Sequence, residues 1–325
     1  MIKFSKFNSN ISNIGQKNIN KAFSLIEISV VIFIIGLLII GISEGINMAY
    51  EARVSAARSL TMNAPMKSID GLELWLETTS RLSLSKDPNS VSSISNPEDD
   101  QAIGMWNDIK DQGTIKYNAV QSNSSYRPVF KKDGINKLPA LYFDGVNDFI
   151  AYNLVAGETR IHALNNFVIF VVAFPLSSCV NGSSGGSGQK YVIYPQHGSA
   201  IYTTMSSMAG SGISVCTNYI NAVEHSGYYM PLMITYSNTI NKPVQITLKY
   251  DKIGSSLTST LYVNSSSQLT GSSTYNVFPS FNFGGGSWGY FKGYIGEIII
   301  YSNELRDSDR NLIERYLMDK WRINN

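Results

Sequence analysis

Residues 23–42 are apolar or small at every position except Glu27. As a helix rising about 1.5 Å per residue, such a run spans roughly 30 Å, the thickness of a bilayer's hydrocarbon core. Beyond it the apolar positions thin to one face. Ile46, Tyr50, Val54, Ala57 and Leu60 recur at steps of three and four, with Glu44, Asn47, Glu51, Arg53 and Arg58 between them. That spacing predicts an amphipathic continuation of the same helix. Asn63 and Pro65 mark its stop.

From Gly71 onward the period changes. Short β-like runs alternate with polar turns: "GLELWLETTS", "PALYFDG", "DFIAYN", "NFVIFVVAFPL", "KYVIYP", "VQITLKYD", "STLYVN" and "GYIGEIIIY". Several alternate apolar and polar residues. "FVIFVVAF" does not, which predicts a central strand buried on both faces. "NGSSGGSGQ" (181–189), "SNTINK" and "VNSSSQLTGSS" are read as loops or turns. A final helix carries Leu312, Ile313, Tyr316, Leu317 and Trp321 on one face, with Arg310, Glu314, Arg315 and Asp319 outside that stripe. Asp307 or Ser308 is placed to cap its start. The expected fold is thus a long N-terminal α-helix, transmembrane and then amphipathic, followed by an all-β sandwich with a short C-terminal helix. Trp75, Trp106 and Trp321 read as core.

Composition sharpens this outline. Charged residues make up 15% of the chain, against roughly 25% in soluble domains. The formal charge of +2 is too small for nucleic-acid binding. Lys3, Lys6, Lys17 and Lys21 fall in the first 22 residues with no acid among them, and the rest of the chain has 22 basic against 24 acidic residues. The basic flank places the N-terminus in the cytoplasm and the C-terminal domain outside it. Two cysteines, Cys179 and Cys216, form no zinc-type motif. In an exported protein the pair suggests a disulfide; otherwise they are two small buried hydrophobes.

"KAFSLIEISVVIFIIGLL" resembles the prepilin-type cleavage and methylation motif of type IV pilins and type II secretion pseudopilins. The resemblance implies a bacterial inner-membrane protein with a leader over residues 1–22, cleaved by a prepilin peptidase between Ala22 and Phe23. It further implies N-methylation of Phe23, and Glu27, the fifth mature residue, registering the subunit against its neighbours. Ala22 replaces the usual Gly. The new amino group on Phe23 is positive at neutral pH, and Glu27 can neutralise it, which makes burial in a bundle tolerable. The pilin-type helix would cover residues 23–65, with the membrane span at 23–42. A second resemblance covers about residues 71–322: "GLELWLE", "GMWNDIKDQG", "LPALYFDGVNDFIAYN" and "GYIGEIIIYSNELRDSDRNLIERYLMDKW" are similar to laminin-G-like, concanavalin-A-like lectin/glucanase domains. It implies a two-sheet jelly roll over residues 66–325.

Retaining glycosidases need two carboxyl groups roughly 5–5.5 Å apart. In this fold's hydrolases they share one strand as Glu-x-Asp-x-x-Glu, and no such run occurs here. Glu297 has no acidic partner on its strand, and Asp108 and Asp111 lie in a turn. His162, His197 and His225 have no motif around them. No enzymatic activity is therefore expected. "FDGVND" offers Asp144, Asn147 and Asp148 as a weak calcium loop, set against a plain turn; no cofactor other than calcium is implied. Exposed aromatics can stack on sugar rings; in "NVFPSFNFGGGSWGYF" (276–291) Trp288, between glycines, is the weak candidate for ligand contact, set against aromatics that fill the sandwich core or a neighbouring turn. The leading expectation is a minor or tip prepilin-like subunit displaying a lectin-like adhesive domain. Its partners would be the peptidase, other pilin subunits, membrane lipid and a carbohydrate or cell-surface ligand. The alternative is a membrane-anchored, exported carbohydrate-binding protein.

Overall fold

The computed structural model describes residues 24–90, 97–111, 116–152, 165–180, 184–197, 208–227, 229–273 and 275–324. Ala22, Phe23 and His162 lie outside the described residues. The chain divides into two compact units, residues 1–49 and 50–325. Helix α1 (Leu25–Met62) is 38 residues long. Among the described residues it is the one helix long and apolar enough to cross a membrane. Its C-terminal part belongs to the second unit and buries Val54, Ala57 and Thr61. The expected stripe is corrected in two places. Ile46 and Leu60 are exposed, while Thr61 turns inward, its hydroxyl donating to the Ala57 carbonyl at 3.1 Å. This backward bond satisfies the hydroxyl within the helix, so a polar side chain is tolerated on the packed face.

The second unit is a sandwich of two sheets. An eight-stranded sheet runs in the order Ser267–Ser273, Ser256–Val263, Val244–Ile253, Phe167–Pro175, Lys292–Tyr301, Leu138–Asp144 and Val129–Ile135. Leu72–Glu77 joins it alongside Lys292–Tyr301. The long strand serves two neighbours on one edge because it kinks at Gly296. Residues 292–295 pair with Leu138–Asp144, and residues 297–301 pair with Leu72–Glu77. A Cβ at Gly296 would stand 2.6 Å from the Trp321 ring, so the kink also lets helix α2 (Asp307–Trp321) lie close.

The ten-stranded sheet runs in the order Leu232–Ser237, Tyr219–His225, Met208–Val215, Tyr191–Ile193, Asn282–Phe283, Ile150–Ala151, Ala119–Val120, Met105–Trp106 and Leu84–Ser85. Asn276–Pro279 pairs parallel to Met208–Val215. Side chains of both sheets meet in one apolar core. A second core covers the outer face of the eight-stranded sheet, where Trp75, Phe170 and Tyr301 pack against Ile313, Leu317 and Trp321 of α2 and Ala57 of α1. The strand Phe167–Pro175 lies between them. Phe167, Ile169, Val171 and Ala173 face the first core; Val168, Phe170 and Val172 face the second. Its unbroken apolar sequence follows from burial on both faces.

Other expectations change. "SSSQLTGSS" is not a loop: Ser267–Ser273 is an edge strand paired along Ser256–Val263. An edge strand contributes backbone hydrogen bonds and needs few apolar side chains. Met208–Val215 and Tyr219–His225 also escape the sequence pattern. Gly212 is the reason in the first: a Cβ there would stand 2.5 Å from Pro195. Arg310 and Glu314 lie on the packed side of α2 rather than outside it. Arg310 Nη1 donates to Glu314 Oε2 at 2.7 Å, Thr247 Oγ1 donates to the other oxygen at 2.7 Å, and the guanidinium stacks 3.9 Å from the Tyr262 ring centre. Pairing offsets the cost of removing these charges from water. Neither Asp307 nor Ser308 caps the helix; Arg306 is the N-cap residue and makes no side-chain cap bond.

Cys179 and Cys216 are joined as a disulfide, with Cα atoms 5.6 Å apart and 37 positions of separation. Closing a loop of that length stabilises the folded chain by roughly 2–4 kcal/mol. Reduction is expected to lower the denaturant midpoint of the full chain in detergent by a corresponding amount, and the Cys179→Ser, Cys216→Ser double variant to reproduce the lower midpoint without reductant.

Candidate functional site

Three groups of polar and aromatic side chains are candidates for function. The first is acidic. Glu297 was expected to lack an acidic partner, and along its own strand it does. Across the sheet it has one: Glu77 stands directly opposite on the neighbouring strand. Lys320, from the last turn of α2, lies between them, with Nζ 2.9 Å from Glu77 Oε2 and 2.8 Å from Glu297 Oε2. Glu297 also accepts from Trp75 Nε1 (2.8 Å), Trp321 Nε1 (2.8 Å) and the Tyr316 hydroxyl (3.0 Å). Glu77 accepts from Thr79 N–H and Oγ1, Ser80 N–H and Ser83 Oγ.

None of the three charged side chains has exposed surface. Burial pushes the Glu77 carboxyl up, but Lys320 and the hydroxyl donors outweigh it and hold the group below its ordinary value. Burial draws the Lys320 ammonium down, and Glu297 and Glu77 more than reverse that. The pair of carboxylates is closed to any substrate and fully hydrogen-bonded, so its work is structural.

The second group is the turn at Asp144. Asp144 Oδ1 accepts from Val146 N–H at 2.8 Å and Asn147 N–H at 3.3 Å, and Asp148 Oδ2 accepts from Asp144 N–H at 2.9 Å. Gly145 supplies the positive φ of +80°. Burial first, then the nearby Asp144 carboxylate, push Asp148 up to about 6 despite the amide bond. Among the described residues no group of three or more side chains is arranged to hold a metal ion. Asp111, exposed at this stage of the chain, pairs with Lys67 at 3.0 Å, whereas Asp108 is buried and accepts from the Trp75, Lys110 and Tyr117 amides.

The third group lies on the outer face of the ten-stranded sheet, opposite the shared core. Tyr191, Tyr194, Val223 and Met230 form a small cluster there. A two-stranded hairpin, Gly285–Gly286 with Gly289–Tyr290, lies over it and turns at Ser287 and Trp288. The hairpin is pinned where it touches. Tyr194 Oη and Ser287 Oγ are 2.9 Å apart, and a Cβ at Gly286 would stand 2.7 Å from the Tyr194 ring. Glycine is required by this contact. Trp288 remains 44% exposed at the tip. Gly185 N–H bonds to the Met230 carbonyl, next to Tyr229, which is 60% exposed. Beneath, Asn221 Nδ2 donates to Gln189 Oε1 at 3.0 Å. Further along the sheet His197 and His225 pack with ring centres 5.3 Å apart and planes tilted by 57°, and His225 Nδ1 is 2.9 Å from the Pro195 carbonyl oxygen. Burial, then His225, draw His197 down.

Glu27 sits at the start of α1. Its Oε2 accepts from the Ser24 N–H at 2.8 Å, while Ser24 Oγ accepts from the Ile26 N–H at 3.4 Å. This is a capping box, and S-x-x-E is its sequence signature. The carboxylate serves its own helix end.

No family model matches the chain, and no curated protein does. Solved structures do. Domain 4 of an extracellular GH43 arabinanase from Geobacillus stearothermophilus, in complex with arabinotriose, matches at 13% identity over 75% of this chain and 97% of that one, with a TM-score of 0.41. Trypanosoma rangeli sialidase in complex with sialic acid matches at 13% identity over 77% of this chain, with a TM-score of 0.44. An arabinofuranosidase complexed with arabinofuranosyl-xylobiose matches at 10% identity over 67% of this chain, with a TM-score of 0.43. The matched region spans 33% of the sialidase and 51% of the arabinofuranosidase. These are carbohydrate-active proteins, and none of the three is a filament subunit. Two expectations are corrected on this finding. The prepilin-like assembly subunit is not carried forward, and the exclusion of enzymatic activity is withdrawn.

Two outcomes follow from the geometry. Lys320→Ala leaves two carboxylates buried with no cation and is expected to cost roughly 3–5 kcal/mol in chemical denaturation, more than Glu77→Gln. Asp148 has a folded value above its unfolded one, so its contribution to stability is fully present below about pH 4 and is lost as pH rises through about 6. Melting curves across that window are expected to show this fall in the wild type and to lose it in Asp148→Asn.

Proposed function

We propose that this chain is a membrane-anchored, exported carbohydrate-binding protein. The observation that carries the reading is Trp288, a large aromatic side chain held half-exposed on a hairpin pinned to an aromatic cluster. An indole ring presented rigidly at low entropic cost is suited to stack on the apolar face of a sugar ring. Tyr229 adds a second exposed ring bordering the same cluster. The two sheets are read as a concanavalin-A-like jelly roll, with this outer face as its ligand face. Helix α1 is the anchor: its apolar length supports a single crossing, and the basic residues before it favour a cytoplasmic N-terminus. The Cys179–Cys216 disulfide supports an oxidising compartment for the sandwich. Cleavage between Ala22 and Phe23 belongs to the same proposal, since it would trim the leader and keep the anchor.

The test is binding of the full chain in detergent to arabinotriose, to sialic acid and to an array of immobilised glycans. Saturable binding to at least one sugar is expected, weakened about tenfold or more, which is ~1.4 kcal/mol, in Trp288→Ala, with the melting temperature unchanged. Absence of binding, or equal binding by the variant, would sink the assignment. Release of reducing sugar from a bound polysaccharide in the same assay would extend the activity to hydrolysis.

A further inference from the structure

His197 and His225 belong to segments that flank one strand on its two sides. His225 ends Tyr219–His225 and pairs with Gly210 of Met208–Val215. His197 follows Tyr191–Ile193 and bridges to Ala209 of that same strand. Gly210 lets the second segment approach closely, because a Cβ there would collide with the Gln196 carbonyl next to His197. The two rings meet, with centres 5.3 Å apart and planes tilted by 57°. Both side chains are half-buried.

The tautomer of His225 is fixed by its partner. Nδ1 is 2.9 Å from the Pro195 carbonyl oxygen, and a carbonyl can only accept, so Nδ1 carries the hydrogen. In the neutral ring Nε2 then holds the lone pair. Metal-binding histidines are oriented in this way, the second ring nitrogen donating to a carbonyl or carboxylate. In His197, Nε2 is the atom nearest to Gly227, 4.0 Å from where a Cβ would stand. It faces the turn that directly follows His225, which Ser226 and Tyr229 close with backbone bonds of 3.0 and 2.9 Å. Burial, then His225, draw the His197 value down, which keeps the ring neutral and able to ligate. Two imidazoles bound to one tetrahedral ion through nitrogens at about 2.0–2.1 Å have ring centres about 5 Å apart. The pair already stands at that spacing, and the tilt keeps the rings from lying face to face, where their nitrogens would not converge.

We propose that His197 and His225 together bind a divalent transition-metal ion of the zinc, nickel or copper class, the ions that imidazole suits. Among the described residues no third histidine, cysteine or carboxylate joins them in a larger ligand group, so the other coordination positions are left to water. The site discriminates against calcium and magnesium, which take oxygen ligands. A bound ion would tie the segment after Tyr191–Ile193 to the end of Tyr219–His225 across the strand between them. Trp288 and its hairpin take no part, so the site stands whether or not that hairpin binds a sugar.

The test is calorimetric titration of the full chain, in detergent and without a histidine tag, with zinc chloride at neutral pH. Saturable binding of a single ion per chain is expected, with calcium unable to compete. His197→Ala and His225→Ala are each expected to weaken it about tenfold or more. Protons compete for the same nitrogens, so affinity is expected to fall as pH drops through roughly 6.5. No saturable zinc binding, or binding of wild-type strength in either variant, would overturn the proposal. A second readout does not depend on the variants folding. Crystals of the wild-type chain soaked in zinc and measured at its absorption edge are expected to show an anomalous peak between the two rings, about 2.0–2.1 Å from one nitrogen of each. The absence of a peak there would equally overturn it.

Discussion

Lys320 carries a positive charge into a place with no water and holds it between two carboxylates, Glu77 and Glu297. Removing three such groups from solvent costs several kcal/mol each, by rough estimate, and attraction repays it only where every remaining lone pair is also bonded. Here the remaining oxygens are bonded by two indole N–H groups, a phenol, hydroxyls and backbone amides. The donors come from the strand Leu72–Glu77, the turn after it and α2, and the acceptor Glu297 from the strand Lys292–Tyr301. Tyr316 in turn lies 3.4 Å from Thr61 Oγ1 at the end of α1. The cluster therefore sets where the first strand, the last strand and the closing helix meet. A displaced partner would leave a charge buried and unpaired, so this arrangement tolerates few alternatives.

From that junction the rest follows by burial. Gly296 lets Trp321 approach the sheet, Trp321 and Trp75 close the outer core, and the central strand Phe167–Pro175 is covered on both sides. The ten-stranded sheet is different. Its inner face shares the main core, and among the described residues its outer face carries a small aromatic cluster under a glycine hairpin whose tip presents Trp288. The glycines of that hairpin are a steric requirement, because the backbone touches the Tyr194 ring where a side chain would stand.

Much of this architecture is legible in the sequence because it depends on local period. The apolar helix, the doubly buried strand "FVIFVVAF", most long strands, the closing helix and the core tryptophans announce themselves through runs and spacing. The strand Ser267–Ser273 does not, since an edge strand is held by backbone bonds that no composition reveals. Met208–Val215 is hidden for a related reason: its glycines answer to neighbours far away in the chain. Trp288 was legible as a candidate; the hairpin that aims it was not. Glu27 shows a local signal with two meanings. The same S-x-x-E that fits a prepilin-type motif is also a capping box, and the bonds it makes are those of a cap.

The acidic residues mark the boundary most clearly. Scanning along the strand of Glu297 finds no second carboxylate, because its partner is 220 positions earlier and opposite it across a strand pair. The charge between them comes from a helix that local spacing marks as amphipathic, with Lys320 one residue before a core tryptophan. By itself the sequence determined what each segment is: its period, its apolar face, its turns and its two cysteines. Only the tertiary structure decided which polar residues are buried, and with whom, because cross-strand and helix-to-sheet partners are set by packing between segments distant in the chain.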